Sequence, residues 1–370
     1  MGLLCSSASL WVVKRKRARR WKTDDVMSET FDFARPDPDQ VSSGWTAATI
    51  GSGWEWTLTA AQVSELVSVG QTIDPGNTTQ MATLHQHPPP LPSLADQISA
   101  LRQHLTDGRG LELIHGLPVE DIGDDAATSA MLVVSAHLGP LRKQNAAGDL
   151  VGHVRNTGAR SDDPNVRLYQ TSERQTFHTD STDVVGLLAL AVAQEGGDSV
   201  VVNAAAAYHE VARRHPKLVD QLFAAVATDR RGETPAGENP WFTIPVFTWW
   251  EQRLTVMYQR QYIDSTDRFP AAPRRSDLQT AALNAFDDVC NDPTLQTRMT
   301  LQPGDMQFVH NHSLLHDRTS FVDNPARPRH LIRTWISLEG DRPLHPVFAQ
   351  RFGSVIPGQR GGVAAYHEGR

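Results

Sequence analysis

The segment 177–183, FHTDSTD, places a histidine and an aspartate two positions apart, His178 and Asp180. In extended backbone, side chains alternate between faces, so residues two apart point to the same side. One imidazole and one carboxylate on one side are two of the three ligands of the 2-His-1-carboxylate triad, which holds non-haem Fe(II) and leaves coordination positions open. A second histidine must come from elsewhere, and QFVHNHSLLHDRTSF offers His310, His312 and His316. A strand predicted over 306–311 leads into a loop, and His316 lies past that loop, free to turn into a site. Further on, Arg329 and Arg333 are four apart and share a strand face. A guanidinium there grips a carboxylate with two parallel hydrogen bonds, as a dicarboxylic acid would require and lysine could not supply. Taken alone, His-x-Asp also describes a loop histidine satisfied by a nearby acid, and Arg327 competes with Arg329 and Arg333 as the anchor.

The elements that must position these residues are legible in outline. DVVGLLALAVA, an apolar run closed by the turn QEGGDS, predicts a strand buried on both sides, and SVVVNA predicts a second directly after it. RHLIRTWISLE alternates as a strand, with Arg329, Leu331, Arg333 and Trp335 on one face. MTLQPGDMQFVHN predicts a hairpin about a Pro-Gly-Asp turn. Helices are expected over LADQISALRQHLTDG with Ser93 as cap, over 122–138, around 204–214 and 216–227, and over DLQTAALNAFDDVCN. RKQNAAGDLVGHVRNTGARSDDPN reads as loop with short strands, and 140–176 and 230–250 are candidate lids over a site that must exclude water.

In order along the chain, FHTD, GGDS, PGDMQFVHNHSLLH and RPRHLIRTW resemble the taurine dioxygenase (TauD/TfdA) family of Fe(II)- and 2-oxoglutarate-dependent oxygenases, from roughly Leu111 to Leu338. The resemblance implies an α+β fold, a double-stranded β-helix or jelly roll with helices packed outside it. It also implies that His178, Asp180 and His316 bind the iron and form the catalytic centre. Arg329 would pair with the distal carboxylate of 2-oxoglutarate. Ser199 stands where the family usually has threonine and keeps the hydroxyl that contacts the same carboxylate. Arg333 matches a second arginine that faces either the cosubstrate or an anionic substrate, and Asn311 matches an asparagine near the iron. Tyr169 and Gln170, on the stretch feeding the site, and Asn145 beside Gln144 are further candidates for contact with substrate.

The implied reaction consumes O2 and 2-oxoglutarate, releases succinate and carbon dioxide, and oxidises a small molecule bearing a carboxylate or sulfonate. With Asp180 as a ligand no place is left for a halide, so hydroxylation, desaturation or ring closure is expected rather than halogenation. The competing reading is a non-catalytic jelly roll that senses a metal or a carboxylated metabolite.

Composition sets the outer limits. The chain has 370 residues, a net charge of -7 and two cysteines, Cys5 and Cys290. An acidic balance argues against a general nucleic-acid binder, and two cysteines are too few for a disulfide framework or thiolate cluster, so a cytoplasmic setting is expected. Eighteen consecutive apolar residues occur nowhere, so no membrane span is expected. Gly2, Ser6 and Cys5 ahead of the basic run Lys14–Arg20 fit lipidation patterns, but such motifs match often by chance. The expected organisation is a disordered extension over 1–26, a helical and extended region over 27–110 packing on the core, a catalytic domain over 111–345, and a C-terminal tail over 346–370. Members of the family often form dimers or tetramers, which leaves a homo-oligomer open.

Overall fold

A strand built from valine, leucine and alanine on both faces is stable only between two covering layers, and Val184–Ala191 has them. It lies inside a six-stranded sheet ordered Glu55–Thr57, Leu111–His115, Met306–His310, Val184–Ala191, His330–Ile336, Val151–Val154. A second sheet of four is ordered Gln296–Met299, Ser199–Asn203, Leu314–Arg318, Gln175–His178. The computed structural model describes residues 33–159 and 168–363. The expected extension over 1–26 lies outside them.

The alternation of side chains sorts each strand between layers. Val201 and Leu314 face the space between the sheets, with Leu111, Val185, Val309, Leu331 and Trp335. Val200, Val202 and Leu315 face outward under the helices Ala204–Arg214 and Asp277–Cys290, where Tyr208, Phe247 and Phe286 also pack. On the far side, the larger sheet is covered by the helix Asp124–Leu138, buried through most of its length, together with Ala60–Gly70 and Ala95–Thr106. Gly186 permits this contact: a Cβ there would meet Met131 Cε at 2.4 Å and Thr334 Oγ1 at 2.6 Å. The result is a jelly roll wrapped in helices, the α+β architecture expected.

Several local expectations are corrected. Gln296–Met299 and Met306–His310 do not form a hairpin; the first pairs with Ser199–Asn203 and the second with Val184–Ala191, in different sheets. The stretch 216–227 is a short 3-10 turn, Val219–Phe223, and the start of a strand, Ala225–Asp229. Ser93 does not cap its helix, because its hydroxyl donates to Glu65 Oε2 at 2.6 Å. Much of the proposed lid 230–250 is strand, Trp241–Pro245 and Phe247–Trp250.

Residues 55–57 add a parallel edge strand to the larger sheet, and the segment 346–363 is built into the body. Arg360 is fully buried; its Nε donates to Asp183 Oδ1 at 2.7 Å and its Nη2 to Asp341 Oδ2 at 2.6 Å. His312 and His310 complete this network on the same two carboxylates, at 2.7 and 3.1 Å. Asp183 therefore ties the start of a central strand to the C-terminal segment.

Removing one partner of a buried ion pair strands the other charge. Arg360→Met should therefore destabilise the fold by about 3–5 kcal/mol, read as a lowered denaturation midpoint. Burial holds the imidazoles of His312 and His345 down to about 4, against an ordinary value of 6.5. Between those two values the unfolded chain binds protons that the folded chain does not. Stability should accordingly fall on acidification below about pH 6.5, by up to about 1.4 kcal/mol per pH unit for each imidazole, in urea titrations at stepped pH.

Candidate active site

The two histidines that the sequence separates are brought together by one strand pair. His178, last in Gln175–His178, lies directly opposite His316 in the antiparallel ladder, and their ring centroids are 4.1 Å apart. Asp180 follows two residues on, with Oδ1 4.0 Å from His178 Nε2. One ligand atom from each of the three falls within 4.8 Å of the others. His310 and His312, the other two candidates, instead lie against Asp341 and Asp183 in the buried network.

Second contacts orient each group. His178 Nδ1 lies 2.9 Å from the Thr176 carbonyl oxygen, which places the proton there and turns the Nε2 lone pair toward the cavity. Asp180 Oδ2 accepts from Trp335 Nε1 at 2.9 Å and lies 3.6 Å from Arg333 Nη1, which leaves Oδ1 toward the histidines. Asn311 Oδ1 accepts from the Asp180 backbone N–H at 2.9 Å and lies 3.2 Å from His316 Nε2. Asn311 therefore sits beneath the site and does not line it as a substrate contact.

The electrostatics suit a cation. Burial pulls the His316 imidazole down to about 3 and also lowers His178, so both are neutral with lone pairs available at physiological pH. For Asp180, burial alone would raise the carboxyl, but Arg333, the two imidazoles and the Trp335 N–H outweigh it and hold the group below its ordinary value. Two neutral imidazoles and one carboxylate form a donor set that fits a divalent iron on one face.

From this corner a cavity runs between the sheets, lined by Ser199, Leu187, Leu301, Arg318, Arg329, Leu331 and Arg333. Arg329 is 5% exposed, its Nη1 has no hydrogen-bond partner, and burial beside Arg318 pulls its guanidinium down to about 9, still charged at neutral pH. Arg318 Nε is a second buried donor without a partner. An oxyanion reaching these groups would satisfy both. Ser199 lines the same cavity with its hydroxyl donating to Gln307 Oε1 at 3.0 Å, so contact with a carboxylate requires that hydroxyl to rotate. Arg327 does not line this cavity; it lies on the surface and pairs with Glu120 at 2.5 Å.

Tyr169 lines the cavity, with Arg333 against its ring at 4.6 Å. Gln170 is not among the residues that line it; its carbonyl accepts from the Thr157 backbone N–H at 2.9 Å. Asn145 is likewise spent locally on Asp149, at 2.8 Å, while its neighbour Gln144 is buried against Arg333. Gln175, not singled out in the sequence, has Nε2 2.8 Å from His178 Nε2. Period-two alternation puts Gln175 and His178 on opposite faces. The ladder shifts between His316/His178 and Arg318/Gln175, and this bulge turns both inward. Arg318 is two positions from His316 on the same strand, and that spacing is the signal that could have found it.

With this geometry in place, the comparisons agree. The family described as "Taurine catabolism dioxygenase TauD, TfdA family" matches residues 80–335. The chain belongs to that family, and it is a 2-oxoglutarate-dependent non-haem iron dioxygenase. It is 29% identical over 307 residues to an FR-33289 synthase of Streptomyces rubellomurinus, covering 81% of this chain and 90% of that protein. It is 27% identical over 187 residues to a uridine-5'-phosphate dioxygenase of a Streptomyces species, covering 48% of this chain and 66% of that protein. Among solved structures, an asparagine oxygenase in complex with Fe(II), hydroxyasparagine and succinate superposes with a TM-score of 0.61 at 16% identity, covering 77% of this chain and 93% of that one. The oxygenase OrfP in complex with Fe and alpha-ketoglutaric acid gives 0.58 at 17% identity, over 76% and 93%. Among the described residues no helix is long and apolar enough to cross a membrane.

Loss of an outer hydrogen bond to a metal-binding carboxylate typically weakens metal affinity by about 10- to 100-fold. Trp335→Phe should do so for Fe(II) or Co(II) titrated into the metal-free protein, with the fold intact by circular dichroism.

Proposed function

We propose that His178, Asp180 and His316 hold Fe(II), that Arg329 with Ser199 receives the distal carboxylate of 2-oxoglutarate, and that Arg333 receives an anionic group of a small substrate. The reaction is the oxidation of a substrate C–H bond, by hydroxylation, desaturation or ring closure. The observation that carries the reading is one cavity with the His-Asp-His group at one end and the unpartnered, buried Arg329 guanidinium at the other. Iron, 2-oxoglutarate and O2 together supply the oxidant, with succinate and carbon dioxide released.

The chain's own residues bind and orient. The imidazoles stay neutral through burial, and Asp180 Oδ2, engaged by Trp335, directs the other oxygen toward the metal position. Leu187, Leu301 and Leu331 keep the middle of the cavity apolar, so a five-carbon diacid is gripped at its ends and excludes water between them. Arg329 immediately precedes the strand His330–Ile336 that carries Arg333, with a register shift at His330/Leu331 between them, which separates a carboxylate anchor from a group beside the metal position. Arg333 faces the space next to Asp180 that Gln175, Gln259, Gln261 and Tyr262 also line, the side left for substrate. An anionic substrate accords with the uridine-5'-phosphate named for one relative; a carboxylate or sulfonate meets the same chemistry.

Purified protein should release succinate only with both Fe(II) and 2-oxoglutarate, and His178→Ala should release none. Arg329→Met should raise the KM for 2-oxoglutarate by about a hundredfold, the loss of a buried charge-assisted pair, while Co(II) affinity stays unchanged. Undiminished succinate release from His178→Ala would remove the iron assignment.

A further inference from the structure

Arg333 is held far more tightly than a surface arginine, and the holding group comes from a loop 189 positions away. Its Nε donates to Gln144 Oε1 at 2.7 Å. The Gln144 carboxamide spends its own hydrogens on the Arg333 carbonyl, at 2.8 Å, and the Leu150 carbonyl, at 2.9 Å. Every polar atom of that side chain is thereby committed, and the amide has one orientation, since reversing it would set N–H against N–H. Gly152, opposite Arg333 in the ladder, makes the room: a Cβ there would meet Gln144 Oε1 at 2.5 Å. The rings of Tyr169 and Trp335 lie against the guanidinium at 4.6 and 5.0 Å.

The choice of glutamine is informative. A glutamate of the same length would accept the same hydrogen bond but would lose both donors to the Arg333 and Leu150 carbonyls and would add a negative charge against the guanidinium; a carboxamide fixes the angle and adds no charge. We propose that Gln144 is a positioning residue that clamps Arg333 without placing a further negative charge beside it, so that the guanidinium, already 3.6 Å from Asp180 Oδ2, faces the substrate side of Asp180 and selects substrates with an oxyanion there. Gly152 is the small residue this clamp requires. The proposal rests on the reading above, in which Arg329 and not Arg333 anchors 2-oxoglutarate.

The test uses anaerobic holoenzyme with Fe(II) and 2-oxoglutarate, titrated by calorimetry with propionate, ethanesulfonate and the neutral isostere propionamide. Wild type should bind at least one anion better than propionamide. Gln144→Glu and Gly152→Ala should each weaken anion binding at least tenfold. In Gln144→Glu, affinities for propionamide and 2-oxoglutarate should stay within twofold, a charge-specific loss that general loosening would not produce. Anion binding by Gln144→Glu equal to wild type would overturn the proposal. So would a parallel fall in 2-oxoglutarate affinity, which would give Arg333 to the cosubstrate, or wild type that prefers neither anion. Failure of wild type to bind 2-oxoglutarate would instead strike the assignment of Arg329 on which the proposal stands.

Discussion

The register between Gln175–His178 and Leu314–Arg318 is the constraint on which the site depends. Side chains in a ladder have period two, so a one-residue slip would send His316 outward among Phe177, Leu315 and the helices behind them. The apolar neighbours hold it. Leu315 belongs to the outer core and Leu314 to the core between the sheets, and a one-residue slip would carry the polar His316 into the apolar outer core. Burial of leucine and valine thus positions two imidazoles, and the same burial keeps both neutral.

Charge is handled by two separate arrangements in this fold. Asp183, Asp341, His310, His312 and Arg360 form a closed network whose members satisfy one another, and its acids are therefore not open to a metal although three of its groups lie close together. Around the cavity the opposite holds. Arg329 Nη1 and Arg318 Nε are buried without partners, and the acid at Asp180 is held below its ordinary value by surrounding positive and hydrogen-bonding groups. A complete network is structural, while an incomplete one marks a place for a ligand.

Much of the fold was legible because it follows from local pattern. The buried strand from Val184, the strand from His330 with Arg333 and Trp335 on one face, and the helix ending at Leu138 are each set by apolar spacing. Less legible were features set by partners distant in sequence. The turn before Asp305 resembles a hairpin locally, yet each strand finds a better neighbour in a different sheet. Ser93 has the chemistry of a cap and spends it on Glu65, a residue no local rule connects to it.

The same division runs through the site. The sequence by itself determined the kinds of chemistry present: a histidine and an aspartate two apart, a later group of three histidines, and two arginines four apart, because ligand type and strand period are properties of neighbouring residues. Only the tertiary structure decided that His316 and not His310 or His312 faces His178, that a bulge turns Gln175 inward, and that Gln144 rather than Asn145 reaches Arg333. The physical reason is that hydrogen-bond partners and desolvation are set by whichever distant segments the packed core brings into contact, and local pattern does not encode that pairing.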